Sequence, residues 1–478
     1  MGRLRFYVAA EPAPPPYWEK IQFLNSDGLP YRTRVKWESP YLLVDRADTD
    51  SGLLTAIWPS AQHGQIAVSS GTIMERESPY VLARELARGT LNRLRNQVAL
   101  WQLAGMQMPE ELAPLQKAAV QWLAKSATSA GDLEGGNRYA QLCLELALQG
   151  ISVLCGSYSQ QALAARQRQN SKAPILIGTQ LQDEIPDNSS AVPILEAANT
   201  LGIAFPWKRI EAKEGQYNWS HTDKQLAWAQ AHGKRVCAGP LIDWHAESIP
   251  DWLVLWDDDY ENLLSMTTDY IRRVVTRYKG RVQVWNAAAK INTTPALQLN
   301  DDKRLHLAGR ILQTVREIDT KTPVIMTIDQ PAGEGIAEQE CELTPWQFAD
   351  TLSRAELGLT GIGLEYRIGF NAGEALPRDP LAFCQQLDIW TNLNIPVILF
   401  LQAAPTGATS GVQQQRAWLA DYGPTLLSKP TVQGLLWNRL SDPPGTPAEQ
   451  NGMGLLSATG QPKPILTVLR ELKVKYGV

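Results

Sequence analysis

The sequence predicts an α/β fold, with a TIM-type (β/α)8 barrel at residues 173–478 preceded by a small β-rich domain at 1–75 and a helical region at 76–172. Three observations predict it. From about residue 174 onward, short apolar runs alternate eight times with amphipathic stretches, the pattern of parallel βα units. Before residue 75 the runs are short and separated by turn residues, as in a small β-sandwich or half-barrel. Between them the apolar spacing becomes helical. A length of 478 residues suits one barrel of about 250 residues with an addition at its N-terminal side.

The N-terminal runs are 4–10, 32–37, 41–44, 53–58 and 65–69. Such a module suits carbohydrate binding or simple packing. From residue 78, Leu82, Leu86, Leu91, Leu94 and Val98 lie near one helical face, with Arg84, Arg88, Arg93 and Arg95 interspersed. Further helices are predicted at 110–126 and 137–167, the last with a weak spot at Ser157 and Ser159. The eight barrel strands are predicted at 175–180, 202–207, 235–243, 282–288, 324–329, 361–367, 397–403 and 434–440. Helices fit between them at 219–232, 260–278, 304–318 and 413–427.

Composition excludes several classes. A net charge of −4 argues against a general polyanion binder, so no nucleic-acid partner is expected, and the arginines near 84–95 read as a solvated face. No stretch approaches the roughly 20 apolar residues of a membrane span, and none resembles a secretory signal, so a cytoplasmic protein without a membrane partner is expected. Cys143, Cys155, Cys237, Cys341 and Cys384 are widely spaced and read as reduced thiols. The five histidines lack metal-ligand spacing, so neither a metal nor a cofactor is expected. Sixteen tryptophans are many; the ring suits sugar stacking as well as core filling.

The run YKGRVQVWNAAAK at 278–290 resembles the fourth barrel strand of glycoside hydrolase family 10, the xylanase family, which reads Tyr-Lys-Gly, a short strand, then Trp-Asp-Val-Val-Asn-Glu. Other segments follow in the family's order: WKRIEAKEGQYNW at 207–219, GPLIDWH at 239–245 with Pro250 and Trp252 after it, GIGLE at 361–365, then Trp437, Asp442 and PKP at 462–464. The resemblance implies the barrel fold and a sugar cleft at the C-terminal strand ends. It aligns Trp207, Trp244, His245, Trp285, Arg367 and Trp437 with cleft positions, and these are the candidate ligand-binding residues.

The departures fall where catalysis should be. The family's acid/base glutamate aligns with Lys290 and its nucleophile with Leu401; polar cleft positions become Ile203, Pro206, Pro240 and Arg367. A retaining glycosidase needs two carboxyl groups about 5 Å apart. Neither 286–294 nor 395–405 contains an Asp or Glu, so a one-residue slip restores neither. Asp243, Asp329 and Glu365 remain near strand ends, with Asp442 further out. They suit either a relocated acid/base pair or ion pairing with Lys290, Arg367 and Arg439; Lys290 could also serve as a Schiff-base lysine. The leading expectation is a non-catalytic barrel that binds an oligo- or polysaccharide or serves a structural role. The alternatives are an active β-glycan hydrolase using the relocated carboxylates, and a homo-oligomeric scaffold assembled through the helical region.

Overall fold

The computed structural model describes residues 2–9, 18–25, 28–31, 33–46, 49–129, 131–168, 175–182, 185–186, 188–256, 258–333, 343–371, 373–403, 411–445 and 452–477. Ala10 and Arg32, at the ends of two predicted strands, and Cys341 lie outside them.

The N-terminal strands are β1 (Gly2–Tyr7), β2 (Gln22–Leu24), β3 (Pro30–Tyr31), β4 (Thr33–Glu38), β5 (Tyr41–Arg46), β6 (Leu53–Ser60), β7 (Gly64–Ser69) and β8 (Tyr80–Val81). They form two four-stranded sheets in the orders β4-β5-β1-β8 and β3-β2-β6-β7. Period-two alternation points Leu4 and Phe6 of β1, and Leu42 and Val44 of β5, into a shared core. Strands β2, β3 and β8 have three residues or fewer, too short to leave an alternating signature in sequence.

Three helices follow: α1 (Leu82–Leu103), α2 (Leu112–Thr128) and α3 (Leu133–Arg168). Leu82, Leu86, Leu91 and Leu94 of α1 are buried in the same core as the two sheets, as are Cys143, Leu144, Leu148 and Ile151 of α3. The sheets and helices therefore pack as one block. Gly89 allows α1 to lie against the end of β7, since a Cβ there would collide with the Ser69 carbonyl. The expected weak spot in the third helix is absent. Ser159 Oγ donates to the Gly156 carbonyl at 2.8 Å, so the hydroxyl is satisfied inside the continuous helix. By length and composition, residues 133–166 of α3 are apolar enough to cross a membrane, contrary to the expectation from sequence. Half of that segment's most apolar window is buried inside the protein, the situation of a core helix.

The remaining strands are β9 (Leu176–Leu181), β10 (Thr200–Ile203), β11 (Arg235–Ala238), β12 (Val284–Ala289), β13 (Val324–Asp329), β14 (Gly361–Ile368), β15 (Val397–Ala403) and β16 (Val432–Trp437). They close in sequence order into a parallel barrel, with β16 paired back to β9. Helices α4 (Asn188–Ala197), α5 (Trp207–Ile210), α6 (Ser220–Ala231), α7 (Tyr260–Tyr278), α8 (Asp301–Ile318), α9 (Pro345–Arg354), α10 (Pro380–Trp390), α11 (Gly411–Leu427) and α12 (Ile465–Tyr476) lie between or after the strands. Side chains of Asp259, Asn300, Thr344 and Asp379 cap α7, α8, α9 and α10 by accepting backbone N–H bonds, which fixes where each helix begins. Two predicted strands are too long. The second ends at Ile203 because Pro206 and the turn into α5 end the ladder, and the third ends at Ala238 before Gly239-Pro240.

The barrel has an inner and an outer core. Cys237, Val284, Ile325, Ile398, Phe400 and Leu436 fill the interior. The larger outer cluster joins the strands' other faces to the helices. The N-terminal block docks on the barrel's α10–α11 side. Leu381 of α10 belongs to the N-terminal core, Ala67 N donates to the Pro377 carbonyl at 2.6 Å, and Arg93 of α1 pairs with Asp379 at the start of α10. A Leu86→Ala substitution should destabilise this block by about 2–5 kcal/mol. Native-state hydrogen exchange of the β5 and β6 amides and of the α1 and α3 amides should accelerate together in the variant; acceleration in the sheets or the helices alone would contradict a shared core.

Candidate functional site at the barrel mouth

Strand register decides which side chains reach the mouth. Asp329 of β13 pairs with Glu365 of β14, and Glu365 with Phe400 of β15. These residues share the inward face of the barrel. One position further, Tyr366, Leu401 and Trp437 pair with one another and face the helices. Register thus sets which way each β15 side chain faces. Leu401 is fully buried in the outer core, and the β15 residues on the mouth side are Phe400, which pairs with Glu365, and Gln402, which pairs with Arg367. Neither is a carboxylate.

Lys290 reaches the mouth by a different route. The β12–β13 ladder shifts register between Asn286 and Ala289, and such an irregularity re-aims the side chains that follow it. Lys290 itself takes a left-handed backbone conformation with φ 57°, unusual for a residue carrying a Cβ. The segment after β11 is laid along β12: Leu241 N donates to the Asn286 carbonyl at 2.9 Å, Ala289 N to the Ile242 carbonyl at 2.9 Å, and Trp244 N to the Ala289 carbonyl at 3.1 Å. Gly239 permits that close approach, because a Cβ there would strike the Asn286 carbonyl. The result places Asp243 beside Lys290.

The charges form one chain. Lys290 Nζ lies 3.0 and 2.9 Å from the two Asp243 oxygens and 3.5 Å from Glu365 Oε2. Glu365 Oε1 lies 3.6 Å from Arg367 Nε and accepts from Asn438 Nδ2 at 3.2 Å. Arg367 Nη2 donates to Asp329 Oδ1 at 2.9 Å, while Thr293 Oγ1 donates to Asp329 Oδ2 at 3.2 Å. Lys290 is 7% exposed, Glu365 6% and Asp329 2%. Burial works against the Lys290 ammonium, but Glu365, Asp243 and Asp329 outweigh it and push its pKa up, so it is a fixed cation. A Schiff-base role requires the free amine and does not suit that environment. The Asp329 carboxyl is pushed up, first by burial and then by Glu365, with Arg367 opposing.

A cleft of about 180 Å³ opens over this network, lined by Gln180, Asp243, Asn286, Lys290, Glu365, Phe400 and Asn438 among others. Gln180 Nε2 donates to the Gly239 carbonyl at 3.2 Å, whereas its buried Oε1 meets no donor among the described residues. Gln180, Asn286, Phe400 and Asn438 escape a motif reading; only their places near strand ends could have flagged them.

The tryptophans expected at a sugar platform are elsewhere. Trp207, Trp244, Trp285 and Trp437 are each at most 1% exposed. Trp207 stacks on Tyr270 and donates to Glu211, Trp285 donates to Asp319 at 3.0 Å, and Trp437 donates to the Met453 carbonyl at 2.7 Å. All four indoles belong to the outer core: Trp285 and Trp437 face the helices from β12 and β16, Trp207 opens α5, and Trp244 lies in the segment after β11. His245 is half-buried and its backbone N–H donates to Asp243 Oδ1 at 3.2 Å; its ring does not line the cleft. Of the ligand-binding candidates, only Arg367 belongs to the mouth network. Asp442 pairs with Lys463 at 2.5 Å, away from the cleft. No cluster of His, Cys, Asp and Glu suited to a metal occurs among the described residues.

Residues 169–296 match the family model for Glycosyl hydrolase family 10. Similar sequences include Endo-1,4-beta-xylanase 3 of Hypocrea jecorina, 28% identical over 125 residues, or 25% of this chain and 35% of that enzyme. Endo-1,4-beta-xylanase B of Thermotoga neapolitana is 29% identical over 87 residues, or 18% of this chain and 25% of that enzyme. The matched segments thus span about a third or less of these relatives' lengths. Among solved structures, native xylanase 10B from Thermotoga maritima aligns over 66% of this chain and 97% of its own, with 17% identity and a TM-score of 0.51. Xylanase B from Clostridium stercorarium F9 aligns over 65% and 99%, with 16% identity and a TM-score of 0.50. At such identities the structural likeness establishes the barrel fold alone.

Replacing Lys290 by Met keeps the side chain's length and removes its charge, leaving Asp243 and Glu365 without their shared cation. Breaking a buried pair in this way costs about 3–5 kcal/mol. Burial already holds the Asp329 carboxyl above its unfolded value and Lys290 is one of the charges opposing that, so its loss raises this carboxyl further; the variant's stability is retained at acid pH and lost as pH rises through the folded-state value. Denaturation midpoints measured from pH 4 to 8 should diverge from wild type toward pH 8; parallel curves would refute the coupling.

Proposed function

Because the barrel is a divergent relative of Glycosyl hydrolase family 10, we propose that this protein is a non-hydrolytic member of that lineage which binds the end of a glycan at the barrel mouth. One observation carries the reading: all three carboxylates of the mouth network are held by Lys290 and Arg367. Glycoside hydrolysis needs one carboxyl to deliver a proton and a second to attack or to activate water, separated by about 5–9.5 Å according to mechanism. Asp243 and Glu365 line the cleft, but both are ion-paired to the same Lys290 ammonium, which occupies their oxygens.

An enzyme with relocated carboxylates has one observation in its favour, the raised pKa of Asp329, a property of catalytic acids. Asp329 is nevertheless 2% exposed and does not line the cleft, so its proton has no direct path to a substrate. The glycan reading draws support from the cleft's chemistry. The Gln180 carbonyl and the Asp243 carboxylate are acceptors for sugar hydroxyls. The cleft is small, which favours a chain terminus over the middle of a polymer.

The test uses xylan- and cellulose-derived oligosaccharides, with products separated by chromatography and binding followed by calorimetry. The expected outcome is binding without cleavage, weakened roughly tenfold in Gln180→Leu, about the worth of one buried hydrogen bond. Turnover that disappears in Glu365→Gln would overturn the proposal in favour of a relocated active site. Absence of both binding and turnover would leave the barrel a structural role.

A further inference from the structure

A cavity much larger than the mouth cleft lies elsewhere. It is a groove of about 750 Å³ where the N-terminal block meets the barrel, bounded by α1 on one side and α9 and α10 on the other. Ligand sites favour such junctions and commonly fall within this size range. Its walls are built from regular helical stripes. On α1 the lining residues are Gly89, Asn92, Arg93, Asn96, Gln97 and Leu100, spaced three and four apart along one face. On α10 they are Ala382, Gln385, Gln386, Ile389 and Trp390, with the same spacing. Gln385 Nε2 donates to Gln97 Oε1 at 3.1 Å and ties the two stripes together, while the Arg93–Asp379 ion pair also joins α1 to the start of α10.

The chemistry of these stripes is unusual for helices that only pack or only face water. Packing stripes are apolar and solvent stripes are charged, whereas this groove presents five carboxamides from two helices and a sixth from Gln347 of α9. No carboxylate lines it among the described residues, and of its two arginines Arg93 is paired with Asp379 and Arg378 is also engaged within the protein. Asn92, Asn96 and Gln347 are exposed, so the groove is open to solvent. Trp346 lies on the barrel side, with its Nε1 already donating to the Ile389 carbonyl at 3.2 Å; what it offers a ligand is its ring.

We propose that this junction groove is a second binding site, specific for an uncharged oligosaccharide. A carboxamide both donates and accepts, as does each sugar hydroxyl, so a row of amides matches a row of hydroxyls without demanding charge. The indole adds an apolar face for a pyranose ring. A cationic ligand would lack any carboxylate here. The site is independent of the mouth: it shares no lining residue with the mouth cleft.

The experiment is calorimetric titration of the full chain with cellotetraose, xylotetraose and maltotetraose. The variants are Asn92→Ala/Asn96→Ala, Gln386→Ala and the mouth variant Gln180→Leu. Asn92 and Asn96 are exposed, so the double variant should fold, and circular dichroism checks this. At least one tetrasaccharide should bind in two events: one reduced tenfold or more in the double variant and severalfold in Gln386→Ala but retained in Gln180→Leu, the other weakened by Gln180→Leu alone. The proposal is overturned if none of the three sugars binds, or if binding is lost in Gln180→Leu while both groove variants bind as wild type does. The second outcome would leave the mouth reading intact, and loss confined to the groove variants would leave this one intact.

Discussion

A lysine ammonium that is 7% exposed has to be paired, and much of the barrel mouth follows from that requirement. Lys290 draws Asp243 from the segment after β11 and Glu365 from β14. Glu365 is then shared with Arg367, and Arg367 carries the chain to Asp329 on β13. Three carboxyl groups share two cations, with the interaction spread over several hydrogen bonds. No single pair could be deleted without exposing a partner charge to a low-dielectric surrounding, so the arrangement is all or none. The same constraint accounts for the left-handed backbone at Lys290, a conformation maintained only where neighbouring bonds over-determine it.

The network ties the mouth to the N-terminal block. Arg367 also reaches the Gly373 carbonyl at 3.4 Å, and Ala375 N donates to the Arg367 carbonyl at 2.7 Å. The same connection continues to Pro377 and Asp379, which β7 and α1 hold from the other side. One short segment between β14 and α10 therefore has the charge chain at one end and the docked block at the other. Leu376 packs against Ile57 and Ala67 of the N-terminal sheet and closes that joint with apolar contact.

The fold was legible because its signal is periodic. Eight repeats of strand and amphipathic helix survive local errors, and the misplaced strand ends at Ile203 and Ala238 lie where proline stops the ladder. The site was legible only as a set of residue types. Asp243, Lys290, Asp329, Glu365 and Arg367 were all identifiable near strand ends, yet whether a side chain faces the interior or the helices depends on register. A single-residue shift reverses it. Leu401 and Trp437 lie on the helix side for that reason, and family position alone could not reveal it. The amide groove was less legible still. Asn92 and Asn96 read as solvated helix residues, and Gln385 is nearly 300 positions away; only packing brings the two stripes together.

The similarity to xylanases is unevenly distributed, and the unevenness bears on the mouth. The family model stops at residue 296, whereas the structural likeness covers nearly the whole length of the xylanase barrels. Lys290 lies inside the matched segment, and Asp329, Glu365 and Arg367 lie beyond it. A cation buried at the end of β12 is tolerable only if β13 and β14 supply the compensating charges, and those strands lie where the match has ended. The lysine at the end of β12 and the charged residues of β13 and β14 thus form one electrostatic unit. Replacing Lys290 alone by a carboxylate would therefore not leave a free acid at the mouth. It would place a fourth acidic group against Asp243, Glu365 and Asp329 with only Arg367 among the network's cations to balance them, and the group would be held protonated or the strand ends would part.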